Sequence, residues 1–396
     1  MNGIKRAVIG ALSLLLVAAL IGSVAVLKQR EARWQARAEQ YRQLARQEKD
    51  WIMQCQTEDG LILYQAWDPE DTEEDQTVMP YFSSIAALGL LSGTVTPEQA
   101  DAALAYQRWY LDYLNRAEDD PVNGSGTIYD WTVIRSGSQI QMESTGSYDS
   151  VDSYAALFLL VADRYQQVAD TQLLQERPGQ LLQVVDALLR TLDENGLSCA
   201  KSEYPVQYVM DNSEVYAGLG AAESLLAQLE PEGERLERVR QAREKLAAAM
   251  DSILWNQAAL RYEIGVLSGK PILDFSWEEF YPDSICQLFP ICFGVIEPDS
   301  ERSIQLYERF CEGWAWQEME LQTQEITRFF WCSMAYTAAL REDEHRLERY
   351  IANYQASLVE NGRGYPLYTG DSGWMALACS QMETLYEEKE WWNPFS

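Results

Sequence analysis

Asp149 and Asp152 stand three residues apart at the head of an apolar run, "YDSVDSYAALFLL". Asp211 and Glu214 repeat that spacing at the head of "DNSEVYAGLGAAESLLAQL", and Asp283 and Asp371 open "DSICQLFPICFGV" and "DSGWMALACSQMETLY". Carboxyls in such positions have two readings. Asp and Ser are favoured at helix N-caps, and acids suit the first turn. Alternatively, two carboxyls flanking a glycosidic oxygen hydrolyse it: one, kept protonated, acts as acid, while the other activates water or attacks carbon. Aromatics and a further acid share these stretches: Asp130 and Trp131 in "IYDW", Tyr148, Tyr208, Trp277, Tyr281 and Trp374. Aromatic faces stack on the apolar sides of sugar rings while carboxylates accept bonds from hydroxyls. The coincidence of acids and aromatics at four helix starts favours a site over capping alone.

The single histidine narrows the chemistry. His345 lies in "REDEHRLERY", a charged stretch typical of a surface helix. A Ser-His-Asp triad, a Cys-His pair or a His-ligated zinc each needs a histidine in a pocket. Acid/base work here falls to Asp, Glu or Tyr, with no metal or cofactor expected. The seven cysteines form no CxxC pair and sit mostly in apolar runs, which argues against a disulfide framework.

Two kinds of helical segment alternate along the chain. Charged amphipathic stretches cover 34–54, 98–116, 178–193, 232–255, 299–316 and 343–359; segments apolar nearly all round cover 80–91, 149–165, 211–229, 283–295, 324–340 and 371–386. A helix apolar on every side is buried on every side, and one with a charged stripe lies outside. Six of each predict an all-α (α/α)6 toroid, six inner helices within six outer ones. Short Gly-containing β-like arms, such as "DGLILYQ" (59–65) and "NGLSCAKSE" (195–203), link outer to inner helices and collect at one pole. The acidic stretch "WDPEDTEEDQ" (67–76) reads as an exposed loop.

Ahead of this domain, residues 7–27 form a 21-residue apolar run, enough to span a bilayer. The expected organisation is a short tail (1–6), an uncleaved signal-anchor (7–27), a juxtamembrane linker (28–33) and the toroid (34–390). Lys28, Arg30, Arg33 and Arg37 after the span would hold the domain in the cytoplasm by the positive-inside rule. The short tail and long following domain favour export, and an extracytoplasmic domain on a single-pass anchor is the expectation. Residues 1–50 carry nine Lys/Arg against four Asp/Glu, so of the chain's net −30 charge about −35 falls on residues 51–396. Such a domain repels nucleic acid and anionic lipid and suits a neutral carbohydrate partner.

The sixfold pattern with "GTIYDW", "YDSVDSYAALFL", "DNSEVYAGL" and "FYPDSICQLFPI" resembles the six-hairpin glycosidase superfamily, and most closely glycoside hydrolase family 8 and its relatives. The likeness covers residues 50–390 in layout and only these short motifs in detail. It implies a glycosidase acting on a neutral oligo- or polysaccharide, with the aspartate pair at the second inner helix, here Asp149 and Asp152, holding the sugar at the cleavage point. Family 8 places its general acid, a Glu, just before the first inner helix. Here that stretch reads "DQTVMPYFSS", without one. Glu73, Glu74, Asp75 or Glu214 is then the candidate acid and Asp283 the candidate base. Inversion is favoured on the ground that a barrel corner leaves room for water between carboxyls about 6.5–9.5 Å apart. A non-catalytic carbohydrate-binding barrel in exopolysaccharide assembly, and a membrane-tethered protein scaffold, are the alternatives.

Overall fold

The computed structural model describes residues 2–68, 71, 73–319 and 332–389, and the side chains of residues 2–21 and 24 fall outside that description. Outer helix α1 (Asn2–Gln54) leads through strand β1 (Glu73–Val78) to inner helix α2 (Pro80–Leu90). Outer α3 (Pro97–Asp112) leads through the hairpin β2 (Trp131–Ser136) and β3 (Gln139–Ser144) to inner α4 (Asp152–Val168). After the short α5 (Gln172–Glu176) come outer α6 (Pro178–Arg190), β4 (Gln207–Tyr208) and inner α7 (Val209–Leu229). Outer α8 (Glu234–Ala249) is followed by β5 (Trp255–Asn256), β6 (Arg261–Tyr262), β7 (Gly265–Leu267) and β8 (Lys270–Pro271), and then by a segmented inner element ending in α9 (Phe289–Cys292). Outer α10 (Glu301–Gly313), inner α11 (Ser333–Leu340), outer α12 (Glu344–Tyr354) and inner α13 (Thr369–Glu387) complete the circuit.

Each inner helix packs on the next, α2 on α4, α4 on α7, α7 on α9, α9 on α11 and α11 on α13, and α13 closes the ring on α2. The apolar-all-round pattern explains this layer. In α4, Asp152 through Leu159 are all buried, because neighbours flank the helix on both sides and the outer layer covers its back. Small residues let the inner helices approach closely. A Cβ on Gly373 would lie 2.4 Å from the Ile85 carbonyl oxygen, and one on Gly218 would lie 2.6 Å from Ala156. The predicted toroid is thus present, with outer helices close to the expected segments.

Two details differ from expectation, and a third falls partly outside the described residues. The fourth inner segment is not one helix: a π turn over Phe280–Ser284 passes into a 3-10 turn over Ile285–Leu288 and then into α9. Pro290 supplies the reason, since it has no N–H to donate and its ring crowds the carbonyl four residues back. Part of the expected fifth inner helix, residues 324–331, lies outside the described residues, and α11 is the portion described. The acidic stretch 67–76 is also not all loop, since its end joins β1, which pairs antiparallel with β2 in a three-stranded sheet with β3. Glu73, Glu74 and Asp75 face Ser136, Arg135 and Ile134 across the ladder. Residues 7–27 continue as backbone within α1. Among the described residues no helix is long and apolar enough to cross a membrane, and most side chains of this stretch fall outside the description.

Among the described residues, side-chain N-caps occur on some outer helices and on no inner one; outer α6 and α8, after Arg177 and Gly233, lack them too. Outer helices α3, α10 and α12 carry side-chain N-caps at Thr96, Ser300 and Asp343, the first as a full capping box with Gln99. Inner helices α2, α4, α7 and α13 begin after Met79, Val151, Tyr208 and Tyr368, none of which caps through its side chain. Asp152, Asp211 and Asp371 therefore sit inside the first turn rather than at the cap, and Asp149 lies two residues before the cap of α4.

Candidate active site

The connections into the inner helices meet at one pole. There they enclose a cavity of about 880 Å³, walled by Met79, Tyr81, Phe82, Tyr154, Tyr204, Tyr208, Tyr281 and Pro282. Asp130, Asp149 and Asp211 line it, with Lys201 as the cation on its wall. Asp130 comes from the turn before β2, Asp149 from the turn before α4 and Asp211 from the first turn of α7. Three carboxyls separated by up to 81 positions in the chain thus share one space.

Their environments differ. Asp149 is exposed to solvent. Asp130 accepts a 2.8 Å bond from the Tyr154 hydroxyl. Burial raises its carboxyl to about 6, and the negative charge of Asp149 adds to the rise while the Tyr154 bond and Lys201 oppose it. The Asp211 carboxyl is pushed well above the ordinary carboxylate range, first by burial and then by the neighbouring Asp152, Glu214 and Asp149 charges. A carboxyl biased toward its neutral form thus shares the cavity with a solvent-exposed one, the kind of divided environment that lets one carboxyl act as acid while another acts as base.

Below the cavity floor lies a second set of acids. Glu214 is buried and accepts a 2.6 Å bond from the Tyr81 hydroxyl at Oε1, while its Oε2 has no partner among the described residues. Burial raises its carboxyl well above the usual range against the opposing Tyr81 bond, and so favours the neutral acid in a site without a cation partner for it among the described residues. Asp152 is fully buried, accepting from the Ser198 hydroxyl at 2.7 Å and the Ser153 amide at 2.8 Å; burial raises it to about 7. Neither reaches the cavity wall. Tyr81 is the link, one face on the cavity and its hydroxyl on Glu214.

Several expected site residues stand elsewhere. Asp283 is buried and accepts from the Ser276 amide at 2.7 Å, bracing the loop before the fourth inner element, and only its neighbours Tyr281 and Pro282 line the cavity. Trp131 packs edge-on against Tyr113 and Trp109 at 4.7 and 6.0 Å. Tyr148 stacks on Tyr129 at 5.4 Å and donates to Asp120 at 2.6 Å, behind the wall. Trp277 packs on Phe275, and Trp374 sits in the barrel core against Phe289, Phe293 and Tyr336. Glu73 bonds Ser136, Glu74 bonds the Asp68 amide, and neither they nor Asp75 line the cavity. The aromatic wall of the cavity is instead made of five tyrosines and Phe82. Sequence reasoning does not single out Tyr81, Tyr204 or Lys201. Tyr81 follows the cap of α2, and a tyrosine directly after an inner-helix start is the available signal. Among the described residues no group of three or more His, Cys, Asp and Glu side chains is arranged to hold a metal.

No family model matches the chain, and no curated protein matches it. Solved structures do. A wild-type glycosidase superposes with a TM-score of 0.59 at 12% identity, over 88% of this chain and 97% of its own. A GH63 mannosylglycerate hydrolase from Thermus thermophilus, bound to glucose, gives 0.53 at 14% identity over 85% and 99%. An alpha-amylase from Clostridium perfringens gives 0.55 at 10% identity over 85% and 97%. At these identities the likeness shows the fold alone: an all-α toroid of inner and outer helices. The family 8 resemblance rests on its short motifs alone.

Proposed function

We propose that the chain is a glycoside hydrolase that uses Asp211 as general acid and Asp149 as the base that activates water, with Asp130 and the tyrosine wall binding the sugar. The supporting observation is the pair of unlike environments on one cavity: a half-buried Asp211 whose carboxyl is pushed well above the ordinary range, and a solvent-exposed Asp149. Asp211 delivers its proton to the glycosidic oxygen as the bond to the anomeric carbon breaks. Water adds to that carbon and gives its proton to Asp149, leaving a reducing sugar and a free alcohol, with inversion. A neutral mono- or oligosaccharide suits a strongly acidic domain with one lysine on the cavity wall. Residues 7–27 anchor the chain in a membrane, with the toroid outside the cytoplasm.

The test is a panel of neutral aryl and oligosaccharide glycosides. Asp211→Asn and Asp149→Asn each lower kcat by about 10²–10⁴-fold on the best of them. Wild-type activity falls as pH rises and Asp211 loses its proton. Full activity in both variants refutes the assignment. Tight binding of glycosides with no turnover favours a carbohydrate-binding barrel, a reading supported by the missing Glu before Tyr81.

A further inference from the structure

Helix α1 is unbroken from Asn2 to Gln54, so the proposed membrane span and the first outer helix of the barrel are one rod. Its barrel part lies antiparallel along α13. Arg37 pairs with Glu344 and Glu348 on α12 near the end of α13, and Arg42 bonds Glu383 at 2.8 Å. Six residues on, Glu48 accepts from the Ser372 hydroxyl at 2.7 Å, near the start of α13. The arm after α1 then reaches the same pole: the Thr369 amide donates to the Tyr64 carbonyl at 2.9 Å, and the Thr369 hydroxyl donates to the Leu63 carbonyl at 2.7 Å. That pole holds the cavity, whose wall includes Phe82, the edge-on partner of Tyr64 at 5.6 Å.

We infer that α1 holds the cavity mouth on the side of the barrel away from the anchoring bilayer, so that the substrates are free or wall-borne glycans and not the sugar of a lipid in that same membrane. This rests on the membrane-anchored hydrolase reading above. The 27 residues from Lys28 to Gln54 rise about 40 Å at 1.5 Å each, and an average helix tilt of about 20° shortens this by only a few Å. The headgroup layer occupies only about 5–8 Å of that height. A sugar on a lipid headgroup therefore stops well short of the mouth, and the barrel itself stands between them. The described side chains of residues 22–33 are all exposed or half-buried, as expected for a stalk clear of the barrel, and Trp34 is the first to pack on the barrel core.

The test uses the full chain in phosphatidylcholine vesicles containing a nitroxide-headgroup lipid. A fluorophore is placed at Gln35→Cys on the stalk or at Tyr365→Cys at the cavity pole, where Tyr365 is 59% exposed, in a background with Cys199 and Cys311 replaced by alanine. Quenching at 35 should exceed that at 365 by about fivefold or more, given roughly 10 Å against 40 Å of helical rise. Equal quenching at the two positions overturns the inference, and quenching at neither overturns it together with the anchor. In a second arm, the best glycoside from the panel is offered free and as a dialkylglycerol conjugate in the same vesicles. The free form should be cleaved, and the conjugate only after detergent is added. Cleavage of the conjugate in intact vesicles at the free rate overturns the inference. If no glycoside is cleaved in detergent either, the hydrolase reading falls while the quenching still reports where the mouth lies.

Discussion

Asp371 gives the sharpest single perturbation. It lies in the first turn of α13, 6% exposed, with Oδ1 accepting from the Cys332 amide at 3.1 Å. Burial pushes its carboxyl from the ordinary 3.8 up to about 8, against the opposing amide bonds from Cys332 and Tyr368. The unfolded chain releases this proton near 3.8, whereas the folded chain keeps it until about pH 8. Its contribution to stability is therefore complete below pH 4 and is lost as pH rises toward 8. The loss is about 1.4 kcal/mol per pH unit, or on the order of 4 kcal/mol by pH 7. Asp371→Asn keeps the shape and the acceptor for Cys332 but has no proton to lose. Urea unfolding of both proteins at pH 5 and 7.5 then shows the variant gaining on wild type by about 3 kcal/mol across that interval. The other raised acids cancel in the comparison. A stability difference that stays constant with pH would refute the claim that this carboxyl is neutral in the folded chain.

Other perturbations test the site and the scaffold separately. Tyr154→Phe removes the 2.8 Å bond that favours ionised Asp130, so the acidic limb of the kcat/KM profile moves up by about one pH unit; an unmoved limb would detach Asp130 from function. Arg363→Met leaves Glu48, 1% exposed, without the guanidinium that bonds it at 2.6 and 2.8 Å, and lowers unfolding stability by about 3–5 kcal/mol. A loss below about 1 kcal/mol would mean that the Tyr354 and Ser372 hydroxyls suffice. Gly373→Ala puts a methyl 2.4 Å from the Ile85 carbonyl and forces α13 away from α2, costing about 1–3 kcal/mol in the same denaturation assay.

The double ring was legible because burial on all sides and burial on one side leave different marks in a sequence, and the two kinds of segment alternate without interruption. The break in the fourth inner element was legible too, at Pro290, but the apolar run around it outweighed one residue. The strand at 73–78 was hidden because "EEDQTV" is acidic, and its pairing depends on β2, more than fifty residues away. The site was legible in its carboxyls only in part. Sequence places Asp211 and Glu214 in one turn, yet one lines the cavity and the other lies under Tyr81, a difference set by packing rather than spacing. Large aromatics misled for a similar reason. Trp131, Trp277 and Trp374 bring as much apolar area to a core as to a sugar platform, and the structure uses them to brace the scaffold. Most of the aromatic residues that face the cavity are tyrosines, each with a polar end that tolerates a wet wall.

The closure of the inner ring by α13 has a consequence for how the chain is made. α13 is the last helix described, and it packs against α1 and α2, the first two. During synthesis every earlier hairpin can form and stack on its predecessor, but the circle stays open along one flank until Thr369–Glu387 leaves the ribosome. Through that interval the facing sides of α2 and α11 expose apolar surface, so the nascent protein is most vulnerable to clumping, and most in need of chaperones, just before α13 arrives.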